Sequence, residues 1–161
     1  MDFRRKIIPY ETLGEWRGSF GGERAPLVVT NGCFDLLHLG HVTYLQEAAN
    51  LGRTLLIGVN GDEAVRALKG EARPLNPELE RASVLAAMES VAHVCVFPGV
   101  RATEFLSLAR PQIYVKGGDY TLETINQEER KAVESHGGKI AFIPFVQGKS
   151  TSGLVEKIRR L

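Results

Sequence analysis

His38 and His41 stand three residues apart with Leu39 and Gly40 between them, just before an amphipathic stretch and shortly after an apolar run and a glycine turn. Residues spaced by three lie on one face of a helix, so the two imidazoles can donate hydrogen bonds to oxygens of the same phosphate. The unpaired N–H groups at a helix start attract anions, and Gly40 leaves room for a ligand to approach the backbone closely. Two other readings stand beside this one: two solvated histidines at a helix start, or half of a metal site. No third ligand at a fitting spacing supports a metal site. The passage Thr30-Asn31-Gly32-Cys33-Phe34-Asp35 leading into the pair favours a phosphate-binding role.

Two further groups of residues could do related chemistry. In Lys116-Gly117-Gly118-Asp119-Tyr120, Lys116 offers a point charge for phosphate, Asp119 can accept from a sugar hydroxyl or an amine, and the glycines allow close approach. An ordinary Gly-Gly turn remains open as an alternative. In Gly148-Lys149-Ser150-Thr151-Ser152 the hydroxyls are first of all helix N-caps, yet a capped helix start also suits a phosphate. Lys69, Arg73 and Arg81 each read singly as solvated charges. Their shared position near the irregular stretch Lys69 to Pro77 is what raises them as ligands.

These residues need elements to position them. Leu27-Val28-Val29, Leu55-Leu56-Ile57-Gly58-Val59, Val94-Cys95-Val96-Phe97, Ile113-Tyr114-Val115 and Ile140-Ala141-Phe142-Ile143 are short and apolar, and they end in Gly, Asn, Pro or Lys, the pattern of buried strands. Between them, apolar stripes predict helices: Leu39, Val42, Leu45 and Ala49; Leu79, Ala82, Leu85 and Met88 or Glu89; Leu154, Ile158 and Leu161. Weaker helical stretches cover Gly61 to Leu68, Arg101 to Ala109 and Thr121 to Ser135. Strands alternating with helices predict an α/β, Rossmann-like doubly wound sheet of about five parallel strands with helices on both faces. One domain over residues 1–161 is expected, with 1–25 a helical extension around Glu11 to Arg17 and 26–161 the core. The two prolines of Arg73-Pro74-Leu75-Asn76-Pro77 demand a loop. Ligands of open α/β sheets bind at the carboxyl ends of the strands, where strand order reverses, and the unusual residues all follow the apolar runs.

Composition narrows the partners. Twenty Lys and Arg face nineteen Asp and Glu, without a basic tail, so nucleic acid is not an expected partner. No apolar stretch suits a signal peptide or a membrane span, and a cytoplasmic location is expected. Cys33 and Cys95 read as small core residues rather than a disulfide or zinc pair.

The His38-Leu39-Gly40-His41 passage resembles the HxGH signature of the nucleotidyltransferase superfamily. Adding Val59-Asn60-Gly61-Asp62, Leu68-Lys69-Gly70, Arg73 to Pro77, Arg81, Lys116 to Tyr120 and Ser150 to Ile158, the chain from about Leu27 onward resembles the adenylyltransferase domain of ADP-heptose synthase. The resemblance implies transfer of AMP from ATP, with Mg²⁺, to D-glycero-β-D-manno-heptose 1-phosphate, releasing pyrophosphate and the ADP-heptose used in lipopolysaccharide core assembly. It implies catalytic roles for His38, His41 and Lys116. Nucleotide contacts would fall to Asn31, Gly32, Cys33, Phe34, Gly40, Asp119, Ser150 and Thr151, and sugar-phosphate contacts to Asn60, Lys69, Arg73 and Arg81. No resident metal site is implied. Many members carry a sugar kinase in the same chain; at 161 residues this sequence is expected to lack it and resembles a stand-alone form served by a separate kinase and phosphatase. A homodimer is implied as well.

One departure matters. Related cytidylyltransferases place an arginine ahead of their Ser-Thr pair, and Phe145 stands there instead, with Lys149 the candidate replacement cation. That weakens the nearest alternative, a CTP enzyme acting on glycerol 3-phosphate or another alcohol phosphate. A non-catalytic nucleotide-binding module would be expected to have lost a histidine or the Ser-Thr pair. A redox module lacks a Cys pair and a GxGxxG after the first strand.

Overall fold

A computed structural model describes residues 2–21, 24–144, 148 and 151–161. Five strands, β1 (Leu27–Gly32), β2 (Thr54–Asn60), β3 (His93–Phe97), β4 (Ile113–Gly117) and β5 (Lys139–Ile143), alternate with helices α1 (Leu13–Gly18), α2 (Leu39–Ala49), α3 (Asp62–Lys69), α4 (Glu78–Ala86), α5 (Thr103–Ala109), α6 (Gln127–Glu134) and α7 (Thr151–Arg159). All strand pairs are parallel, in the order β3-β2-β1-β4-β5. The chain builds outward from β1 to β3, then crosses back to lay β4 on the other flank of β1. The predicted doubly wound sheet is the observed one.

Successive side chains of a strand point to opposite faces, and β1 feeds two separate cores accordingly. Leu27 and Val29 join Phe97, Phe105, Leu106, Tyr114 and Val133 on one face, while Val28 joins Leu45, Ile57, Leu85 and Val115 on the other. Every residue of β2 is buried. Gly58 is needed there because a Cβ would stand 2.6 Å from the Phe105 ring, which itself stacks on Phe97 with centroids 4.9 Å apart. Along the outer edge of β3, Ile7 bridges Val94 and Ile8 N donates to Val94 O at 2.8 Å.

Three helical faces differ from the periodic reading. On α2 the buried residues are Leu45 and Ala48, while Leu39 and Val42, in the first turn, are exposed. On α4 the inward position goes to Arg81 with Ala82, Leu85 and Ala86, which turns Leu79 out to 65% exposure. A buried arginine belongs to that face, and a pattern that counts only apolar residues misplaces it. Leu154, Ile158 and Leu161 near the C-terminus are all exposed. The helix expected over Thr121 to Ser135 begins at Gln127, where the Asn126 side chain caps it by accepting from Glu128 N and Glu129 N.

Candidate active site

The ladder between β1 and β4 records two residue pairs, Val28 with Ile113 and Val29 with Tyr114, although β1 runs on to Gly32 and β4 to Gly117. Beyond Val29 the strands part, and polar side chains occupy the gap on both faces. On one face Tyr44 of α2 donates to Val115 O at 3.1 Å, with Thr30 Oγ1 2.6 Å from the same hydroxyl. Burial pushes the Tyr44 phenol up to about 12, so it stays a neutral donor. On the other face Tyr114 Oη lies 2.7 Å from Asn31 Oδ1. This split marks the reversal of strand order, the place where α/β sheets bind ligands.

At its mouth stand the two histidines. His38 is the residue before α2; its extended backbone (φ −142°, ψ 172°) lets its carbonyl accept from His41 N at 2.9 Å. The rings lie 4.0 Å apart between centroids with 31° between their planes, and Phe34 lies 5.5 Å from the His41 ring. Burial, reinforced by the neighbouring His38, lowers His41 to about 4, so at neutral pH it is uncharged. Its buried Nδ1 meets no hydrogen-bond partner among the described residues. Phe34 adopts φ 48°, a left-handed backbone uncommon for a bulky residue. Gly32 accommodates the turn, because a Cβ there would lie 3.0 Å from the Phe34 ring.

The turn is braced from behind. Asp35, nearly buried, accepts from Leu75 N (2.8 Å) and Asn76 N (3.1 Å) and pairs with Arg73 Nη1 at 2.6 Å, while Asn76 Nδ2 donates to Asp35 O at 3.0 Å. Burial alone would raise the Asp35 carboxyl; the hydrogen bonds from Asn76, Arg73 and Leu75, with the charge of Arg73, outweigh it and hold the group below its ordinary value. The Arg81 guanidinium is wholly buried. It donates to Asn76 O (2.9 Å), Cys33 O, Asn60 O (2.9 Å) and Asp62 Oδ1 (2.7 Å). One side chain thereby ties together the motif turn, the end of β2, the start of α3 and the 73–76 loop.

The expected site residues are thus placed unequally. Asn31, Gly32, Cys33, Phe34, His38, Gly40 and His41 follow one another along the end of β1 and the start of α2. Arg73 and Arg81, expected to face phosphate, are instead engaged by protein acceptors, and Asn60 is buried with Nδ2 donating to Gly99 O at 3.0 Å. Lys69, at the end of α3, is exposed. Burial raises the Cys33 thiol despite the opposing charges of Lys69 and Arg81, leaving it a weak nucleophile. Lys116 lies 3.6 Å from Glu129 Oε2, with the rings of Tyr114 and Tyr120 at 5.6 and 5.4 Å. Asp119 is exposed beside Gly118, whose φ of 110° forms the turn after β4. Thr151 Oγ1 donates to Leu36 O at 3.1 Å, joining the start of α7 to the motif loop. Phe145, Lys149 and Ser150 lie outside the described residues. No group of three or more metal-binding side chains occurs among the described residues.

Sequence reasoning missed Tyr44, Tyr114, Asp62, Asn76 and Glu129. Glu129 had a readable signal: it shares the buried face of α6 with Ala132 and Val133, at helical spacings of three and four. Within Gln127-Glu128-Glu129-Arg130 it reads instead as one more solvated charge.

Comparison with known proteins gives a consistent family. Residues 29–153 match the cytidylyltransferase-like family model. The chain is 46% identical over 157 residues to the bifunctional protein HldE of Trichlorobacter lovleyi, covering 98% of this chain and 32% of that protein. It is 50% identical over 133 residues to HldE of Geotalea uraniireducens, covering 83% and 27%. The chain therefore spans about a third of the length of these relatives. Among solved structures, a lipopolysaccharide core biosynthesis protein from Thermoplasma volcanium superposes with a TM-score of 0.60 at 22% identity, covering 76% of this chain and 98% of that one. A pantoate-beta-alanine ligase from Francisella tularensis, complexed with beta-gamma ATP and beta-alanine, gives 0.59 at 10% identity, covering 96% and 79%. At these identities the structural likenesses speak for the fold.

Proposed function

Because the chain belongs to the cytidylyltransferase-like family and is a nucleotidyltransferase, we propose that it transfers AMP from ATP to D-glycero-β-D-manno-heptose 1-phosphate, giving ADP-heptose and pyrophosphate. The observation that carries the reading is the pair of closely apposed imidazoles at the start of α2, set at the mouth of the split between β1 and β4. The agreement with HldE along nearly the whole chain supports the choice of branch.

In this reaction a phosphate oxygen of the sugar phosphate attacks the α-phosphorus of ATP. The bond from that phosphorus to the bridging oxygen of the β-phosphate breaks in line, and pyrophosphate carries the electron pair away. No protein nucleophile is required, so the enzyme contributes positioning and stabilisation of developing charge. His38 and His41 donate to the α-phosphate oxygens. Burial keeps the His41 imidazole neutral at pH 7, and a bound phosphate favours the N–H donor form. Thr151, with Ser150, receives the leaving phosphates at the start of α7. Lys69, exposed at the rim, and Lys116 are the cations for phosphate. Arg81 and Asp35 fix the turn that presents the histidines. Mg²⁺ enters with the triphosphate, as part of the substrate. Asp119 offers an acceptor for a hydroxyl or an amine. A separate kinase and phosphatase would supply the heptose 1-phosphate, the protein would work in the cytoplasm, and a homodimer is the expected assembly. No helix of the described residues is long and apolar enough to cross a membrane.

The test is pyrophosphate release with ATP or CTP against heptose 1-phosphate or glycerol 3-phosphate. ATP with the heptose phosphate is expected to turn over fastest. A site built to hydrogen-bond several hydroxyls rejects acceptors lacking them by up to about 10⁴-fold. Faster turnover with CTP and glycerol 3-phosphate would replace both nucleotide and acceptor in this reading.

A further inference from the structure

Glu129 is nearly buried on α6 and makes three attachments. Its Oε1 accepts from Ala102 N at 3.0 Å, its Oε2 lies 3.2 Å from Tyr114 Oη, and the Lys116 ammonium sits 3.6 Å away. Tyr114 Oη is also 2.7 Å from Asn31 Oδ1. The phenol has one proton, yet two acceptors face it in that arrangement. Tyr114 is fully buried, and burial together with Glu129 raises its phenol well above the ordinary value, so the proton is present and must go one way.

The Asn carboxamide can resolve this conflict, because its oxygen and nitrogen are interchangeable in shape. With Nδ2 turned toward Tyr114, Asn31 donates to the phenol oxygen, the phenol donates to the Glu129 carboxylate, and all three groups are satisfied. The alternative leaves the phenol oxygen pressed against a carboxylate oxygen with no proton between them, a costly arrangement for buried groups. Neither amide atom of Asn31 bonds to any other described residue. The oxygen is then left without a hydrogen-bond donor among the described residues.

We propose that Glu129 is a positioning residue: it sets the direction of the chain from Asn31 through Tyr114 to its own carboxylate, so that Asn31 offers an acceptor to a hydroxyl or amino donor of the bound nucleotide. The Ala102 N–H makes this direction depend on a carboxylate. In Glu129→Gln the single amide oxygen is claimed by Ala102 N, which leaves the Gln nitrogen facing Tyr114 and reverses the chain. The identity of the bound nucleotide rests on the function proposed above, whereas the hydrogen-bond direction does not.

Two measurements test the proposal. In ¹⁵N-labelled protein without nucleotide, one Asn31 side-chain amide proton is expected to be protected from solvent exchange in the wild type and to lose that protection in Glu129→Gln. Equal protection in both, or none in the wild type, overturns the proposal whatever the enzyme's substrate. The second measurement is a cycle of Tyr114→Phe and Asn31→Ala. Removing the phenol hydroxyl leaves the Glu129 to Lys116 pair in place and should raise KM for ATP about 3- to 10-fold, with kcat little changed, as expected for one lost hydrogen bond. In the Asn31→Ala background the same change should have no effect on KM. An equal rise in both backgrounds would mean that Tyr114 only packs, and would sink the acceptor role of Asn31. If the wild type transfers no AMP, the function proposed above fails; the cycle is then read by calorimetric titration with ATP, and the exchange measurement stands unchanged.

Discussion

The two ends of the candidate phosphate site are held in different ways. Around His38 and His41, buried Arg81 and nearly buried Asp35 supply seven hydrogen bonds and ion contacts to the motif turn, β2, α3 and the 73–76 loop. At the start of α7, the described tie to that turn is the hydrogen bond from Thr151 to Leu36 O, and no described residue of α7 is fully buried. Among the described residues, the turn that carries the histidines is braced by buried charge, whereas the start of α7 is tied to it through the Thr151 hydroxyl; in the proposed reaction the first end would meet the reacting phosphorus and the second the leaving group. Electrostatic catalysis gains most where donors need no reorganisation, while product release calls for contacts that part easily.

Arg81→Ala should produce the largest change, because it strips partners from Asp62 and from three backbone carbonyls at once. Removing one partner of a buried pair costs about 3 to 5 kcal/mol, and urea melts monitored by circular dichroism should show that loss. Wild-type stability in this variant would mean that the guanidinium does not brace the turn. His41→Ala should lower turnover by about 10²- to 10³-fold, or about 2.7 to 4 kcal/mol in the barrier, while the melt shifts little; an unaltered kcat would remove the histidines from the mechanism.

A smaller effect concerns pH. His41 titrates at about 4 in the folded protein, against the ordinary histidine value of 6.5 once unfolded, so between those values the unfolded chain binds more protons and stability rises with pH. The contribution is complete above about pH 6.5 and is lost as pH falls toward 4. Since His41 is only partly buried, about 1 to 2 kcal/mol is expected after screening by solvent. His93 is lowered by burial too and acts in the same direction. The difference between wild type and His41→Gln isolates the His41 share, and parallel stability curves from pH 4 to 7 would contradict it. Smallest is Thr151→Val, which should cost about 0.5 to 1.5 kcal/mol of stability but a larger share of triphosphate affinity. Equal losses in both would reduce Thr151 to a structural tie and remove half of the comparison between the two ends.

The sheet and the histidine pair were legible in the sequence for a plain reason. Short apolar runs alternating with helical stretches leave few alternatives to a parallel sheet, and the pair follows β1 directly. Arg81 and Glu129 were not legible in the same way, since each becomes buried through contacts with residues distant in the chain. Arg81 reaches Cys33, Asn60 and Asp62, and Glu129 reaches Ala102 and Lys116. A charge on a helix looks solvated until the acceptors that receive it are known. Leu39 and Val42 failed in the opposite sense, since a run of apolar residues does not say where along a helix the core ends.

The arm at residues 6–8 has a consequence for self-association. An exposed edge strand is a template for pairing with another chain. Ile8 N takes the Val94 carbonyl, and Lys6 Nζ takes the carbonyls of Met88 and Val91 just ahead of β3. The arm therefore acts as a stopper on that rim, hindering the sheet from being extended there by a neighbouring molecule.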